Sequence, residues 1–193
     1  MIDVDRIDAL LARLEQPGDP PRPEGLSDAE VSVLEDYLHT PLPDDLRDWL
    51  KFSNGAFIGT VPAFGAYPLD APLSMGKILE IFPTWRVKKW IPVASDGCGN
   101  YYVIPTQGEF GEGFPVVFVE AVTDKDVPRY IVASDLARFI ILLIEDELAL
   151  MATDPAQDDP EASSWFDKQK MLHYDPAILN FHGVSLPWEA DEV

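Results

Sequence analysis

The residue of this chain best suited to covalent chemistry is Cys98, its only cysteine. It lies between Gly97 and Gly99 in the segment SDGCGN, where the backbone N–H groups of a tight turn are able to lower the pKa of a thiol. A thiol enzyme also needs a histidine base, and none of the three histidines stands in a sequence context typical of cysteine hydrolases. We therefore interpret Cys98 as a turn residue that tolerates cysteine.

Neither the histidines nor the acidic residues form a recognisable metal or phosphate site. His173 and His182 lie nine residues apart, and His39 is distant from both. The acidic run within residues 154–161 lacks the glycine and the ligand spacing of an EF-hand loop. The segment GEFGEG, residues 108–113, matches neither the dinucleotide fingerprint nor the P-loop, and its two glutamates would repel a phosphate. We predict no metal and no cofactor.

Paired carboxylates are the remaining catalytic option, because the chain has 34 acidic side chains. General acid–base and glycosidic chemistry use such pairs. With so many acids, however, pairs can be chosen anywhere along the sequence. The composition therefore indicates no particular active site, and an acidic hydrolase using carboxylates or Cys98 stays as an alternative hypothesis.

Charge is the strongest compositional signal, with 14 basic against 34 acidic side chains and a net charge of −20. The net charge is −9 in residues 1–50, −1 in residues 51–144 and −10 in residues 145–193. Such a field repels nucleic acid and anionic lipid and accelerates encounter with a basic partner. An acidic surface also simply keeps a protein in solution. The charge thus argues against a nucleic-acid binder more firmly than it selects a partner.

The sequence also bears on the compartment. A single cysteine rules out an intramolecular disulfide and fits a reducing environment. The N-terminus is acidic and amphipathic, unlike a secretory signal. The longest uninterrupted apolar run, residues 139–144, is far short of the roughly 20 residues of a membrane span. We predict a cytoplasmic protein without membrane contact.

The elements that must position these residues begin with helices. Apolar residues at helical spacing predict a first helix over about Val4 to Glu15, followed by the proline-rich linker QPGDPPRPEG. Ser27 and Glu30 have the spacing of a capping box and predict the start of a second helix.

A third helix is predicted from the segment LPDDLRDWLKFSNG. Pro43 suits its first turn, and Trp49 belongs to its apolar face. Asn54 and Gly55 supply a left-handed stop at its end.

The centre of the chain has the short apolar runs and frequent turn residues of strands and loops. The residue types of Met75 to Phe82 suit a strand as well as a short helix, and we favour the helix. The pattern predicts paired strands over Trp90 to Ala94 and Tyr101 to Ile104, with SDGCGN as their turn. The continuous apolar run Pro115 to Val122 indicates a central strand, and Arg129 to Ala133 a further one.

A long helix then begins after Ser134 or Asp135 and is apolar on most sides, so we expect it to pack across the sheet. Beyond Met151 the chain is acidic, and then aromatic residues return. We expect a helix near Ala162 to Leu172 and docking of this tail on the main domain.

This order of elements predicts an α+β fold: N-terminal helices, a mainly antiparallel twisted sheet of about four to six strands, and a long helix packed on it. We divide the chain into an N-terminal helix and linker (1–25), a main domain (26–151) and an acidic C-terminal extension (152–193).

Two segments resemble the SUKH superfamily, which includes a fungal regulator of cell-wall synthesis and many bacterial immunity proteins. The first carries Leu42, Pro43, Leu46, Trp49, Leu50, Asn54 and Gly55. The second carries Ile91, Pro92, Val93, Ala94, Asp96, Gly97, Gly99, Asn100 and Tyr101. A later strand starting at Pro115 and a helix with Phe139 near its start extend the resemblance over about residues 26–150.

The resemblance implies a non-enzymatic protein that binds and neutralises a polymorphic toxin, often a nuclease. Acidic groups would then occupy the basic surface with which a nuclease grips phosphate. The family does not specify the contact face. From loop position and charge we predict one at one end of the sheet, formed by Asp96, Glu109, Glu112, Asp124 and Asp126.

Pro43, Trp49, Asn54, Gly55, Gly97 and Gly99 are interpreted as residues that build the fold. Besides the immunity protein and the acidic hydrolase, a SUKH-type regulatory or scaffolding domain with a housekeeping partner stays open.

Overall fold

The computed structural model describes residues 2–16, 21–152 and 167–192. Its α-helices are α1 Val4–Leu11, α2 Asp28–Leu38, α3 Asp44–Phe52, α4 Met75–Ile81, α5 Pro83–Lys88, α6 Ala121–Asp124, α7 Leu136–Ala152 and α8 Lys168–Tyr174. Its strands are β1 Ala56–Ile58, β2 Val61–Ala63, β3 Trp90–Ser95, β4 Tyr101–Pro105, β5 Val116–Val119 and β6 Tyr130–Ala133. Two 3-10 helices, Pro176–Asn180 and Pro187–Glu192, follow α8.

The six strands form one antiparallel sheet in the order β1-β2-β3-β4-β5-β6. Because side chains alternate along a strand, Tyr101 and Tyr102 of β4 lie on opposite faces. The Tyr101 ring contacts Phe82 and Trp85, at the junction of α4 and α5, whereas Tyr102 contacts Phe139 of α7. Helices therefore cover both faces, and the α+β prediction, with a long helix on the sheet, is confirmed.

The start of α2 confirms the predicted capping box. The Ser27 hydroxyl accepts a hydrogen bond from the Glu30 N–H at 3.3 Å, and the Glu30 carboxylate accepts one from the Ser27 N–H at 2.8 Å. This reciprocal pair satisfies two N–H groups that would otherwise lack a partner. The apolar residues Val31, Leu34 and Leu38 are buried.

The third helix starts and ends differently from the prediction. Pro43 is the residue before the first turn, and α3 begins at Asp44. The helix buries Trp49 as expected. It ends at Phe52, and Ser53 is already extended with φ −153°. Asn54 and Gly55 thus lie beyond the helix, and their contacts are long-range.

Carboxylates from three parts of the chain bind the start of α7. The Asp135 side chain accepts from the Arg138 N–H at 2.8 Å, which confirms the predicted cap. Asp45 of α3 accepts from the Leu136 N–H at 2.8 Å. The N-terminal N–H groups of a helix lack intrahelical partners and carry positive partial charge, so carboxylates stabilise this end.

The third carboxylate, Asp175, joins the C-terminal segment to the same point. It accepts from the Ser134 N–H at 2.6 Å and the Ser134 hydroxyl at 2.7 Å, and the Arg138 guanidinium lies 3.3 Å away. Asp175 is fully buried, and its neighbours Met171 and Ile178 belong to the core. The part of the tail after residue 166 therefore packs on the main body.

The N-terminal helix joins the same core, since Ile7 and Leu11 are buried with the residues of α3 and α7. The division at residues 25 and 151 remains a prediction. The acidic run 154–161 and the first part of the helix expected near Ala162 to Leu172 lie outside the described residues, and the described helix there is α8. Within the described ranges, no helix is long and apolar enough to cross a membrane.

Candidate functional site

Asn54 connects the turn after α3 to a loop twelve residues further along. Its Oδ1 accepts hydrogen bonds from the N–H of Ala66 at 2.8 Å and of Tyr67 at 3.1 Å. Its Nδ2 donates to the Tyr67 carbonyl. One asparagine side chain therefore holds the loop 65–67 against the start of β1.

Gly55 allows these two segments to approach closely. Its φ is 87°, and a Cβ added there would lie 2.7 Å from the backbone nitrogen of Gly65. A Cβ on Gly65 would in turn lie 2.5 Å from the Asn54 carbonyl oxygen. Only glycine fits such a contact, so the Asn-Gly pair joins two loops and builds one side of a groove.

The groove lies between α1, the β1–β2 hairpin with the loop after it, and the end of α7. Its cavity volume is about 820 Å³. Small residues line its floor: Gly55, Ala56, Gly59, Ala63 and Gly65. Larger residues line its walls: Leu11, Leu14, Phe57, Tyr67, Leu73, Glu147 and Met151.

Four of the large apolar side chains at the groove are exposed. Phe57 is 63 % exposed and Met151 50 %, and Tyr67 and Leu73 are exposed by more than two fifths. Single exposed apolar residues are ordinary, but several around one groove are typical of a binding surface.

The charged residues of the groove are unevenly compensated. Arg22 forms an ion pair with Asp8 at 2.6 Å and lies over the Phe52 ring at 4.1 Å. The Glu147 carboxylate accepts from the N–H and hydroxyl of Thr60, at 3.3 and 3.2 Å, which are neutral donors. Glu15 is exposed. In the described part of the chain, the two lining glutamates, Glu15 and Glu147, therefore form no ion pair.

The predicted contact residues lie in several different places. Asp96 organises the β3–β4 turn, because its carboxylate accepts from the N–H of Cys98 at 2.7 Å and from Asn100. Gly97 and Gly99 adopt φ of 75° and 97° in this turn. Cys98 is exposed there, as a turn residue.

Glu109 and Asp126 line one shallow pocket with Lys88 and Trp90. Lys88 donates to the Asp126 carbonyl at 2.7 Å and lies 4.4 Å from the Trp90 ring centroid. The Trp90 indole donates to Glu109. A hydrogen bond from the Thr84 hydroxyl, with Lys88 nearby, lowers the pKa of Asp126. These two acids are therefore partly compensated within the molecule.

The five acids do not share one end of the sheet. In an antiparallel meander consecutive connections alternate between the two ends, so the β4–β5 loop with Glu109 and Glu112 lies opposite the β3–β4 turn with Asp96. Asp124 in α6 is near that turn, since a Cβ on Gly99 would lie 3.7 Å from Val122 of the same helix. Glu112 and Asp124 are exposed, and the Asp124 carboxylate accepts a hydrogen bond from the Asp126 N–H at 3.0 Å.

A family model described as the SMI1 / KNR4 family (SUKH-1) matches residues 25–141. The chain belongs to this family. The match spans α2, the whole sheet and the first turns of α7, and it includes the Asn-Gly pair. A search of curated proteins finds no match to the chain. The SUKH-1 family is in general non-enzymatic and acts through protein–protein interaction.

Two buried acidic residues of this SUKH-1 chain have structural partners. No cluster of His, Cys, Asp and Glu that would hold a metal occurs in the ranges 2–16, 21–152 and 167–192. Burial raises the pKa of Asp45 and Asp175. Both carboxylates accept hydrogen bonds from backbone N–H groups at, or just before, the start of α7. Their perturbation has a structural cause rather than a catalytic one.

Sequence reasoning missed the groove of this SUKH-1 protein. Phe57, Tyr67 and Leu73 fall in a turn-rich stretch without periodicity, and Met151 follows almost a hundred residues later. The available signal was the density of apolar residues in 56–74, which is high for an exposed loop.

Proposed function

We propose that this SUKH-1 protein is an immunity protein that binds a polymorphic toxin domain with a basic surface, such as a nuclease, and thereby neutralises it in the cytoplasm. The observation that carries the proposal is the charge: −19 of the net −20 lies in residues 1–50 and 145–193, outside the central segment. A phosphate-gripping toxin surface is complementary to such a field.

The five predicted contact residues lie in the near-neutral central segment, so they add only local charge to this field. Glu112 and Asp124 are exposed and are the best placed of the predicted contacts. Asp96 has a role in its own turn, and Glu109 and Asp126 are engaged by Trp90 and Lys88. We therefore expect the five residues to contribute unequally, mostly to the rate of encounter.

The test is capture of partners by the tagged full chain from a lysate of the source organism. Salt of about 0.1 M and about 1 M is compared, because the screening length falls from about 10 Å to about 3 Å. The expected result is one basic protein with a toxin domain, retained at low salt and reduced at high salt. Co-expression with the isolated toxin then restores growth of a host cell.

A housekeeping complex retained at both salt concentrations would contradict the toxin assignment and favour a regulatory scaffold. The double variant Glu112→Lys, Asp124→Lys tests how much these two charges contribute. It reverses two exposed charges without touching the core, and it should weaken capture of the toxin at low salt.

A further inference from the structure

The groove suggests how the partner is held. We propose that the groove between α1, the β1–β2 hairpin and the end of α7 is the docking site, and that it takes a segment of the toxin domain with a bulky apolar side chain flanked by lysine or arginine. This inference rests on the proposed function and specifies its contact.

The size of the groove fits a short stretch of polypeptide. Binding cavities for organic groups have volumes of about 300–1,000 Å³, and this one has about 820 Å³. Glycine and alanine make up part of the lining, and the Glu147 side chain lies against Gly59, where a Cβ would collide with it. A groove of this size holds one bulky apolar side chain together with the residues that flank it.

The rim supplies contacts of the kind that dominate binding energy. Phe57 of β1 and Met151 at the end of α7 both line the groove and are exposed. Apolar and aromatic side chains that become buried at the centre of an interface carry most of its affinity. An occupant that covers both removes their apolar surface from water.

The charged residues that line the groove favour a positively charged occupant. Among the described residues Glu15 and Glu147 form no ion pair, and Arg22, which also lines the groove, is paired with Asp8. A carboxylate near these groups would be repelled, whereas an ammonium or guanidinium would gain a partner. A second copy of the chain is disfavoured because each copy carries −20.

The walls and floor come from different parts of the sequence. Floor residues 55–65 lie inside the family match, whereas Leu11, Leu14, Glu147 and Met151 lie outside residues 25–141. The family-matched part therefore supplies Phe57, Tyr67 and Leu73 together with the small residues, and the flanking segments add Glu147 and Met151.

The first test uses peptides carrying a neutral dye, with binding followed by fluorescence anisotropy at about 0.15 M salt. One peptide has Leu-Phe-Trp-Leu between pairs of lysines. A second has glutamates in place of the lysines, and a third has serines in place of the apolar core. We expect the full-length protein to bind only the first.

Equal binding of the serine peptide would show attraction by net charge alone and would overturn the inference. Equal binding of the glutamate peptide would overturn the charge requirement. Phe57→Ala should weaken binding of the first peptide by at least about tenfold. The matched control is Val87→Ala in α5, which is 82 % exposed outside the groove and should change binding by less than about twofold.

Other occupants give different results. A dimer in light scattering that Phe57→Ala dissociates would assign the groove to a second copy and overturn the inference. Nuclear Overhauser contacts from Phe57 to residues 153–166 in the free protein would show that the chain fills its own groove, with the same consequence.

The captured toxin separates this inference from the proposed function. If the toxin binds the wild-type, Phe57→Ala and Glu147→Gln proteins equally, the groove is not its site, while the immunity function stands. If no toxin is captured but the lysine peptide binds as expected, the immunity function fails and the groove keeps its basic, apolar class of ligand.

Discussion

Exchange of Gly55 for alanine tests whether the Asn-Gly pair acts through close approach of two loops. An L-residue at φ 87° costs about 1–2 kcal/mol. The added Cβ would lie 2.7 Å from the Gly65 nitrogen, so the loop must move and lose its hydrogen bonds to Asn54. Three bonds at about 1 kcal/mol each add about 3 kcal/mol. We expect the free energy of unfolding to fall by about 4–5 kcal/mol in total.

Gly97→Ala is the matched control. Gly97 has φ 75°, but a Cβ there would meet nothing within 4 Å. Only the backbone cost of about 1–2 kcal/mol remains. Urea unfolding followed by tryptophan fluorescence measures both variants, and equal slopes license comparison of the midpoints. We expect a difference of about 3 kcal/mol. Equal losses in the two variants would refute close approach and leave backbone strain as the whole explanation.

Three further results are expected. Asp175→Ala leaves the buried Ser134 N–H and hydroxyl without an acceptor and should cost about 3 kcal/mol in urea unfolding, whereas Glu112→Ala at an exposed loop position costs less than about 0.5 kcal/mol. A loss below about 1 kcal/mol for Asp175→Ala would contradict the clamp on α7. Burial raises the pKa of Asp45 and Asp175, so the native state holds these protons more tightly than the unfolded state does. The two groups therefore contribute stability that is complete below the unfolded pKa and is lost as pH rises through the folded pKa. Unfolding measured between pH 7 and about pH 4, near the pKa of an aspartate in an unfolded chain, should therefore show a smaller gain on acidification for Asp175→Asn than for wild type. An unchanged pH profile would count against the raised pKa. Lysine at Glu112 and Asp124 should slow association with a basic partner and flatten its salt dependence in stopped-flow measurements; a change confined to the dissociation rate would mean direct contact instead.

Features set by neighbouring residues could be predicted from the sequence. The Ser27–Glu30 capping box and the Asp135 cap involve groups three residues apart, and both occur as expected. The strands around SDGCGN also formed, because alternating apolar runs and a glycine turn specify a hairpin locally. Helix α4 was recognisable from the spacing of Ile78 and Leu79.

Features that depend on distant residues could not be predicted in this way. Asn54 and Gly55 were interpreted as a helix stop, since nothing local indicates that Gly65 lies against them. The Asp45 bond to Leu136 spans 91 residues, and only the folded chain brings the two together. The five predicted contact residues do not share one end of the sheet, because consecutive connections of an antiparallel meander alternate between its ends.

The long helix α7 connects two distant parts of the molecule. Its 17 residues span about 25 Å at a rise of about 1.5 Å per residue. Carboxylates hold its first turn, and its last turn carries Met151 at the groove. A tilt of about 5° at the held end would displace the far end by about 2 Å, roughly the radius of a methyl group. The shape of the groove therefore depends on contacts at both ends of the helix: the carboxylates at its first turn and the hydrogen bonds from Thr60 to Glu147 near its last.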